Sequence, residues 1–309
     1  MEVSVGLFVQ SVYLSAGLSV LYVLALYCSN PFRRLPSITV MLVFMSGMFT
    51  IILVNLINGL VPLPESTAAF SRYIRTGLLE EGVKFLVMIA TIWRFGFSDV
   101  AEPMDIAIYF GILGVGFGVY EDFSYIFHGS YPLWTAEEIG RLQEALRSIV
   151  LARVFPGHIL FNGLAGYLIG KARFSARPLL RLAWFCGGFV LAVVLHSLFN
   201  VIADVGGEIP LLIYIVFLVG LFLVFRHLAI VRSPFRALIL MISENGEQGW
   251  DHPWPPIKYL FADGFAWPGK RKSEVFQVFP LALSLVILYP LLVMIVYLVN
   301  RVIMQFLPA

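Results

Sequence analysis

Residues 209–231 read IPLLIYIVFLVGLFLVFRHLAIV, a run that is long and apolar enough to cross a lipid bilayer as one helix. A transmembrane helix needs about 20 predominantly apolar residues. The rest of the chain has the same character, because 60% of its 309 residues are hydrophobic and 13% are charged. An ordinary soluble domain has about 25% charged residues. The composition therefore excludes a soluble globular enzyme and predicts a protein with several membrane spans.

Eight apolar runs follow one another along the chain, at about 6–28, 38–62, 76–95, 105–128, 150–170, 179–203, 209–231 and 276–303. These runs are continuously apolar, whereas the strands of a membrane β-barrel alternate between apolar and polar residues. We therefore expect an all-α fold, a polytopic transmembrane bundle of about eight helices. The two longer loops are expected at 129–149 and 233–275.

The placement of basic residues predicts how the chain crosses the membrane. If the N-terminus is outside, loops one, three, five and seven are cytoplasmic and hold 14 of the 21 Lys and Arg residues, against six on the outer side. Cytoplasmic loops of membrane proteins are enriched in these residues. We therefore expect both the N-terminus and the C-terminus to lie outside.

The third to the sixth span carry polar and ionisable residues that are unusual in a hydrocarbon environment. A charged side chain at the centre of a transmembrane helix costs about 2.5–3.5 kcal/mol on the insertion scale, so such residues are functional candidates. They are Glu80, Glu81 and Lys84 in the third span, Glu121 and Asp122 in the fourth, His158 in the fifth, and His196 and Asn200 in the sixth.

These polar residues are predicted to lie in one layer of the membrane. At about 1.5 Å per residue from the span boundaries, a depth of roughly 6–12 Å below the outer face is expected for Glu80, Glu121, His158 and His196. Glu81 and Lys84 share one face of their helix because they are three residues apart. Gly114 and Gly118, four residues apart, allow the fourth helix to approach a neighbour closely.

Such a layer can carry out hydrolysis. A carboxylate and a histidine can share a water molecule and deprotonate it. A second histidine, with an amide four residues later, can hydrogen bond to a developing oxyanion, which together would suit the hydrolysis of an amide bond. Two histidines and a carboxylate also match a zinc site with an open position and another glutamate as base. The candidate zinc ligands are His158, His196 and Glu121, and Glu121 would otherwise orient a histidine.

The order of these motifs resembles that of a known family. Glu80-Glu81-x-x-Lys84, Phe117-x-x-x-Glu121, His158 and His196-x-x-x-Asn200 follow one another on four consecutive spans. This pattern, which covers about residues 76–203, is similar to that of the PrsW family and, more distantly, of the CAAX prenyl protease superfamily. The resemblance implies a membrane-embedded endopeptidase of a bacterial plasma membrane. Its substrates would be membrane-anchored proteins, of which anti-sigma factors are one type.

The resemblance also implies roles for individual residues. Glu80 or Glu81, together with His158, would activate the water molecule. His196 and Asn200 would stabilise the oxyanion. The sequence departs from the family in one place, since the residue after the glutamate of the fourth helix is often Asn and is an aspartate here.

The remainder of the chain is expected to support this core. Two N-terminal helices would occupy 1–75, the four-helix catalytic core 76–203, and two C-terminal helices with the cytoplasmic loop 233–275 would occupy 204–309. His128, His227 and His252 lie at span ends or in loops and are expected to be ordinary surface residues.

Two further classes of function compete with the protease. A proton- or ion-coupled transporter also uses chains of acids and histidines, although its polar groups would span the whole depth of the bilayer. A non-catalytic membrane scaffold would keep a degenerate site. The net charge of +2 gives no sign of nucleic-acid binding, so the expected partners are the bilayer and a membrane-anchored protein. The pattern leaves the oligomeric state open.

Overall fold

The computed structural model describes residues 5–32, 35–62, 68–92, 94, 99–130, 157–235 and 272–306 of the chain. The expected all-α fold is confirmed, because the long elements of these residues are helices and no strand occurs among them. The eight helices are α1 (Val5–Tyr27), α2 (Ser37–Leu60), α3 (Ala69–Thr91), α4 (Pro103–Ser130), α5 (Gly157–Arg173), α6 (Pro178–Val201), α7 (Glu208–Val231) and α8 (Lys272–Phe306). Each overlaps one predicted span. Most of the two predicted loops, at 131–156 and 236–271, lies outside the described residues.

Five of these helices are long and apolar enough by themselves to cross a membrane, and they contain Ser37–Leu60, Pro103–Tyr125, Pro178–Gly206, Ile209–Val231 and Pro280–Ile303. α1 adds a shorter apolar stretch, Ser11–Tyr27. α3 is less apolar because it carries Glu80, Glu81 and Lys84. α5 has 17 residues, which is shorter than a typical membrane span of about 20. With five such helices, the protein is a multi-pass membrane protein. The two helices that fall short of these criteria, α3 and α5, both carry predicted site residues.

α4 lies at the centre of the bundle and packs against α1, α2 and α5, with smaller contacts to α3 and α7. In its most apolar 18-residue stretch 89% of the residues are buried, against 17% in α7. Glycines make this packing possible. A Cβ atom on Gly116 would lie 2.1 Å from the carbonyl oxygen of Phe44 in α2, and one on Gly114 would lie 2.4 Å from the carbonyl oxygen of His158 in α5. The close approach expected at Gly114 is therefore present.

α3 begins seven residues before the predicted span, so its first two turns hold Arg72 and Arg75. The hydroxyl of Tyr73, in the same turns, donates a hydrogen bond to Asp204. Asp204 lies in a π-helical turn, Ile202–Gly206, that continues α6. The start of α3 and the end of α6 are therefore tied together at one end of the bundle.

α8 packs against α1 and α2 on the side of the bundle away from α5 and α6. The buried hydroxyl of Tyr289 in α8 lies 2.6 Å from the Oγ of Ser15 in α1 and 3.3 Å from the carbonyl oxygen of Val119 in α4. About three turns further along α8, the amide of Asn300 lies 3.2 Å from the hydroxyl of Tyr120. These bonds connect the last helix to the first and to the central one.

A buried polar network lies at the end of the bundle where α1 ends and α4 begins. The amide of Asn30 donates to Oε1 of Glu102 at 2.7 Å, and the hydroxyl of Ser233 donates to Oε2 of the same carboxylate at 2.5 Å. The guanidinium of Arg226 donates to the carbonyl oxygen of Ser29 at 3.1 Å. The network thus joins the segment after α1, the start of α4 and the end of α7.

The same end of the bundle overturns one expectation about histidines. His227, next to Arg226 on α7, is buried. The prediction that it is an ordinary surface residue is therefore wrong, because the end of α7 packs against the bundle rather than facing the interface. His252 and the side chain of His128 lie outside the described residues.

Candidate active site

Four helices bring polar side chains together inside the bundle. α3 contributes Glu80, Glu81 and Lys84, α4 contributes Glu121, α5 contributes His158, and α6 contributes His196. α3 approaches α6 closely here, because a Cβ atom on Gly77 would lie 2.4 Å from the Oγ of Ser197. Likewise a Cβ atom on Gly118 of α4 would lie 3.2 Å from the His158 ring. The structure therefore places five of the six predicted site residues in one cluster, and Asn200 is the exception.

The carboxylate of Glu81 is the centre of the cluster. Its Oε1 accepts a hydrogen bond from the Nζ of Lys84 at 2.8 Å and another from the Nδ1 of His196 at 2.8 Å. Glu81 and Lys84 are both fully buried. A buried charge needs a partner of opposite charge, so Lys84 is the counter-ion that their spacing on the helix predicts. The Lys84 ammonium also lies 3.8 Å from the centre of the Phe117 ring.

His158 bridges Lys84 and Glu121. Its Nδ1 lies 2.9 Å from the Nζ of Lys84, and its Nε2 lies 2.9 Å from Oε2 of Glu121. A lysine ammonium has donors only and a carboxylate has acceptors only. With Lys84 charged, Nδ1 of His158 accepts and Nε2 carries the proton that is donated to Glu121. The two neighbours therefore fix both the orientation and the tautomer of the ring.

His196 and Glu80 face each other across a short gap. Because Glu81 accepts the hydrogen bond from Nδ1 of His196, Nε2 of the neutral ring has a lone pair, and this atom lies 3.8 Å from Oε2 of Glu80. The same oxygen lies 3.8 Å from the Nζ of Lys84. These separations are too long for direct hydrogen bonds. Oε2 of Glu80 is buried and has no hydrogen-bond partner among the described residues, so the gap is a place for a small polar species.

Aromatic rings enclose the cluster on two sides. Phe161 stacks on the His196 ring with 5.5 Å between centroids, and Phe117 meets the His158 ring edge to face at 4.9 Å. The side chains of His158 and Glu121 are 14% and 20% exposed, whereas those of Glu81 and Lys84 are not exposed at all. The cluster is therefore dry around Glu81 and opens on the side of Glu121.

Comparison with known proteins places the chain in a family. A family model described as "PrsW family intramembrane metalloprotease" matches residues 35–225, which is more than half of the chain. The chain belongs to the PrsW family. The resemblance seen in the motifs is thereby confirmed, and the matched region contains every residue of the cluster.

Two relatives carry the name Protease PrsW. The protein from Clostridioides difficile (strain 630) is 26% identical over 198 residues, which cover 62% of this chain and 76% of the relative. The protein from Geobacillus kaustophilus (strain HTA426) is 22% identical over 182 residues, which cover 56% of this chain and 71% of the relative. No solved structure matches the chain.

Membership of a metalloprotease family raises the question of whether this cluster fits a metal ion. Glu80, His158 and His196 each offer one ligand atom, and these atoms lie within 4.8 Å of one another. Two histidines and a glutamate are a ligand set of catalytic zinc sites. Glu81 accepts a hydrogen bond from Nδ1 of His196 and so orients the ring. In zinc sites, a carboxylate hydrogen bonded to a metal-binding histidine has the same effect. The unpartnered Oε2 of Glu80 is the third candidate ligand. The residue types fit, provided that His158 gives up its hydrogen bond to Lys84 or to Glu121, because both of its ring nitrogens are engaged in the structure.

The carboxylate of this group differs from the expected one. Glu121 was the carboxylate predicted to join the two histidines, whereas the structure brings Glu80 to them. The reason is the rotation of α3, which directs both Glu80 and Glu81 toward His196. Glu121 is hydrogen bonded to His158, which is the position of a residue that orients a histidine.

Two other polar residues lie apart from the cluster. Asn200 is half-buried on α6, one turn after His196, and takes no part in the hydrogen bonds and ion pairs that join the other five predicted residues. Asp122 is buried on another face of α4, where its charge acts on Tyr22 of α1 and Tyr289 of α8. The departure from the family at Asp122 therefore lies on the side of α1 and α8.

Sequence reasoning missed some of the residues that form the site. Phe161 was not singled out, although its position three residues after His158 places it on the same helix face. Gly77 could have been found from the sequence, because it precedes Glu81 by four residues and so lies on the same face of α3. The amide of Asn162, four residues after His158, donates to the carbonyl oxygen of His158 at 2.8 Å.

Proposed function

We propose that this PrsW-family protein is an endopeptidase that hydrolyses peptide bonds of membrane-anchored proteins near the outer face of a bacterial plasma membrane. The observation that carries the proposal is the buried cluster of two glutamates, a lysine and two histidines within a bundle of membrane-spanning helices. Both named relatives are bacterial. The outer location rests on the predicted topology, which places the ends of α4 and α6 outside.

We assign Glu80, His158 and His196 as the residues that would hold a metal ion. A zinc ion held there would supply Lewis acidity, which lowers the pKa of water and polarises a carbonyl group. The chain prepares this position with its own hydrogen bonds. Glu81 orients His196 and leaves its Nε2 available for the ion. His158 would exchange its hydrogen bond to Lys84 or to Glu121 for the ion, and the other bond would then hold the ring.

We assign Glu81 as the group that accepts and returns the proton. Lys84 and His196 occupy its Oε1, but its buried Oε2 has no hydrogen-bond partner among the described residues. Glu80 belongs to the metal-holding group, which leaves Oε2 of Glu81 to take a proton from water. Lys84 and His196 hold Oε1 in place, so the same Oε2 can return the proton to the leaving amine.

We assign Asn200 as a donor to the oxyanion. Its side chain is half-buried one turn beyond His196, in the direction of the outer face in the predicted topology. Loss of a single oxyanion donor lowers kcat by about 10²–10³. Asn200→Ala should therefore show this loss in kcat while it keeps the metal content of the wild type.

The test is proteolysis of a panel of single-span proteins in reconstituted vesicles, with zinc content measured on the same preparations. Glu80→Gln and His196→Ala should lose both zinc and cleavage. Glu81→Gln should keep zinc, because its amide oxygen can still accept from Lys84 and His196, but its cleavage should fall by about 10²–10⁴. Asp99→Asn, an acid outside the cluster, serves as the control and should cleave normally.

The outcomes separate the competing functions. If Glu81→Gln cleaved at the wild-type rate, Glu81 would not be the proton acceptor. If a zinc chelator did not reduce cleavage, and Glu80→Gln, His196→Ala and Glu81→Gln all cleaved like the wild type, the whole site assignment would be wrong. A folded wild type that cleaves none of the panel supports a scaffold, and ion uptake by the same vesicles without cleavage supports a transporter.

A further inference from the structure

A cavity of about 650 Å³ lies in the half of the bundle opposite the predicted outer face. Its walls come from α3, α4, α5 and α6 and are largely apolar, with Met88, Ile92, Phe110 and Ile169 among the lining residues. Sites for small molecules occupy about 300–1,000 Å³. Met88 is one turn beyond Lys84 on α3, so the cavity begins just below the active-site cluster.

Aromatic packing separates this cavity from the cluster. Phe85, which follows Lys84, is buried and packs against Phe110 at 5.1 Å and Phe189 at 5.0 Å between ring centroids. Phe185 completes this group at 6.2 Å from Phe85. Aromatic packing around Phe85 therefore forms the wall of the cavity next to Lys84.

The cavity opens toward lipid. Ile89 of α3 and Leu182 of α6 line it and are 40% and 59% exposed. Neighbouring residues on the same helix faces, Leu86 and Leu179, are also exposed apolar side chains. In a membrane-spanning bundle such a surface faces acyl chains, so the ligand that reaches this opening has an apolar part.

Two arginines line the same cavity at the helix ends. Arg173 is the last residue of α5, and Arg181 lies in the first turn of α6. The guanidinium of Arg181 donates to the carbonyl oxygen of Ser175, which fixes it beside the connection between the two helices. The connection between the two helices, residues 174–177, adds Arg177 and no acidic residue. Basic pockets between transmembrane helices on the cytoplasmic side bind anionic head groups.

We propose that this cavity binds an anionic phospholipid, with an acyl chain in the apolar chamber and the phosphate on Arg173 and Arg181. Charge complementarity and the apolar walls together require an amphiphile with a negative head group. An extended peptide fits less well, because its backbone amides would find no partners on these walls. Lys171, whose Nζ lies 3.6 Å from the centre of the Trp184 ring, marks the same end of α5 and α6 as the membrane interface.

The test is lipid binding to the purified full-length protein by native mass spectrometry in a neutral detergent. Phosphatidylglycerol and phosphatidylcholine with identical acyl chains are the probes. The wild type should bind phosphatidylglycerol more tightly. Each basic residue near an anionic head group contributes about a factor of five to affinity, so Arg173→Gln/Arg181→Gln should bind it about 30-fold more weakly. Arg177→Gln, on the same connection but outside the cavity lining, is the matched control and should bind like the wild type.

A second pair of variants tests the chamber itself. Ile89→Trp fills it from its exposed side and should abolish binding of both lipids, whereas Leu86→Trp on the neighbouring, non-lining position should leave binding unchanged. Equal losses in Arg177→Gln and Arg173→Gln/Arg181→Gln would overturn the proposal in favour of diffuse surface charge. Unchanged binding in Ile89→Trp, or displacement of phosphatidylglycerol by a single-span peptide, would also overturn it. The measurement does not depend on proteolysis, so it stands or falls separately from the proposed function.

Discussion

Lys84 is a cation without solvent contact in the middle of a membrane bundle, and Glu81 holds it there at 2.8 Å. Lys84→Met would leave the Glu81 carboxylate buried without its counter-charge. Breaking a buried ion pair from one side costs about 3–5 kcal/mol, so the detergent-solubilised variant should have a strongly lowered Tm. Glu81→Gln/Lys84→Met removes both charges and should recover most of that loss while remaining inactive. If Lys84→Met had the same Tm as the wild type, the ion pair would not contribute to stability.

At the scale of single residues, the sequence predicts which residues belong to the site but not which of them are hydrogen bonded to each other. The helical spacing of Glu81 and Lys84 predicts their contact, and the structure contains it. The contact of Glu81 with His196 joins two helices that are far apart in sequence, and it depends on how each helix is rotated about its axis. A rotation of this kind comes from packing, so spacing along one helix cannot predict it.

At the scale of elements, the contact between α4 and α5 positions His158. A Cβ atom on Gly114 would lie 2.4 Å from the carbonyl oxygen of His158, so Gly114→Ala should push α5 away. Overpacking of this kind costs about 1–3 kcal/mol, and cleavage should fall further than stability because the His158 ring moves with its backbone. Thermal unfolding and vesicle proteolysis measure the two effects.

Gly187→Ala provides the matched control for that substitution. Gly187 is also within a helix, but a Cβ atom there would meet nothing within 4 Å. Because alanine favours a helix over glycine by about 1 kcal/mol, this variant should be as stable as the wild type or more stable, with full cleavage. If both variants lost activity equally, helix packing at Gly114 would not be what positions His158.

Hydropathy predicted the helices well, because each span had to be apolar over its whole length. It did not predict the network of Asn30, Glu102 and Ser233, whose hydrogen bonds join three segments. Polar residues at span ends usually face water or head groups, so no local signal distinguishes a buried set from an exposed one. The same reason explains why His227 was assigned to the surface.

At the scale of the whole molecule, the orientation in the membrane remains a prediction. In a background with Cys28 and Cys186 replaced by serine, Arg177→Cys should be protected from a membrane-impermeant thiol reagent in intact cells and react after permeabilisation. Asp204→Cys, at the opposite end of α6, should react in intact cells. The reverse pattern would place the active-site cluster in the cytoplasmic half and would redirect the search for substrates. The proposed division into 1–75, 76–203 and 204–309 also stays a prediction, although α1, α2 and α8 pack around the same centre.

The hydrogen bonds of Tyr289 have a consequence for how the protein is made. Its partners, Ser15 in α1 and Val119 in α4, are synthesised long before α8 leaves the ribosome. During that interval the early helices present to lipid, or to the insertion machinery, a face that the finished protein covers. The covering of this face therefore waits for α8, although the earlier helices are inserted before it. A chain released before α8 would carry every residue of the cluster and still lack the helix that covers α1 and α2.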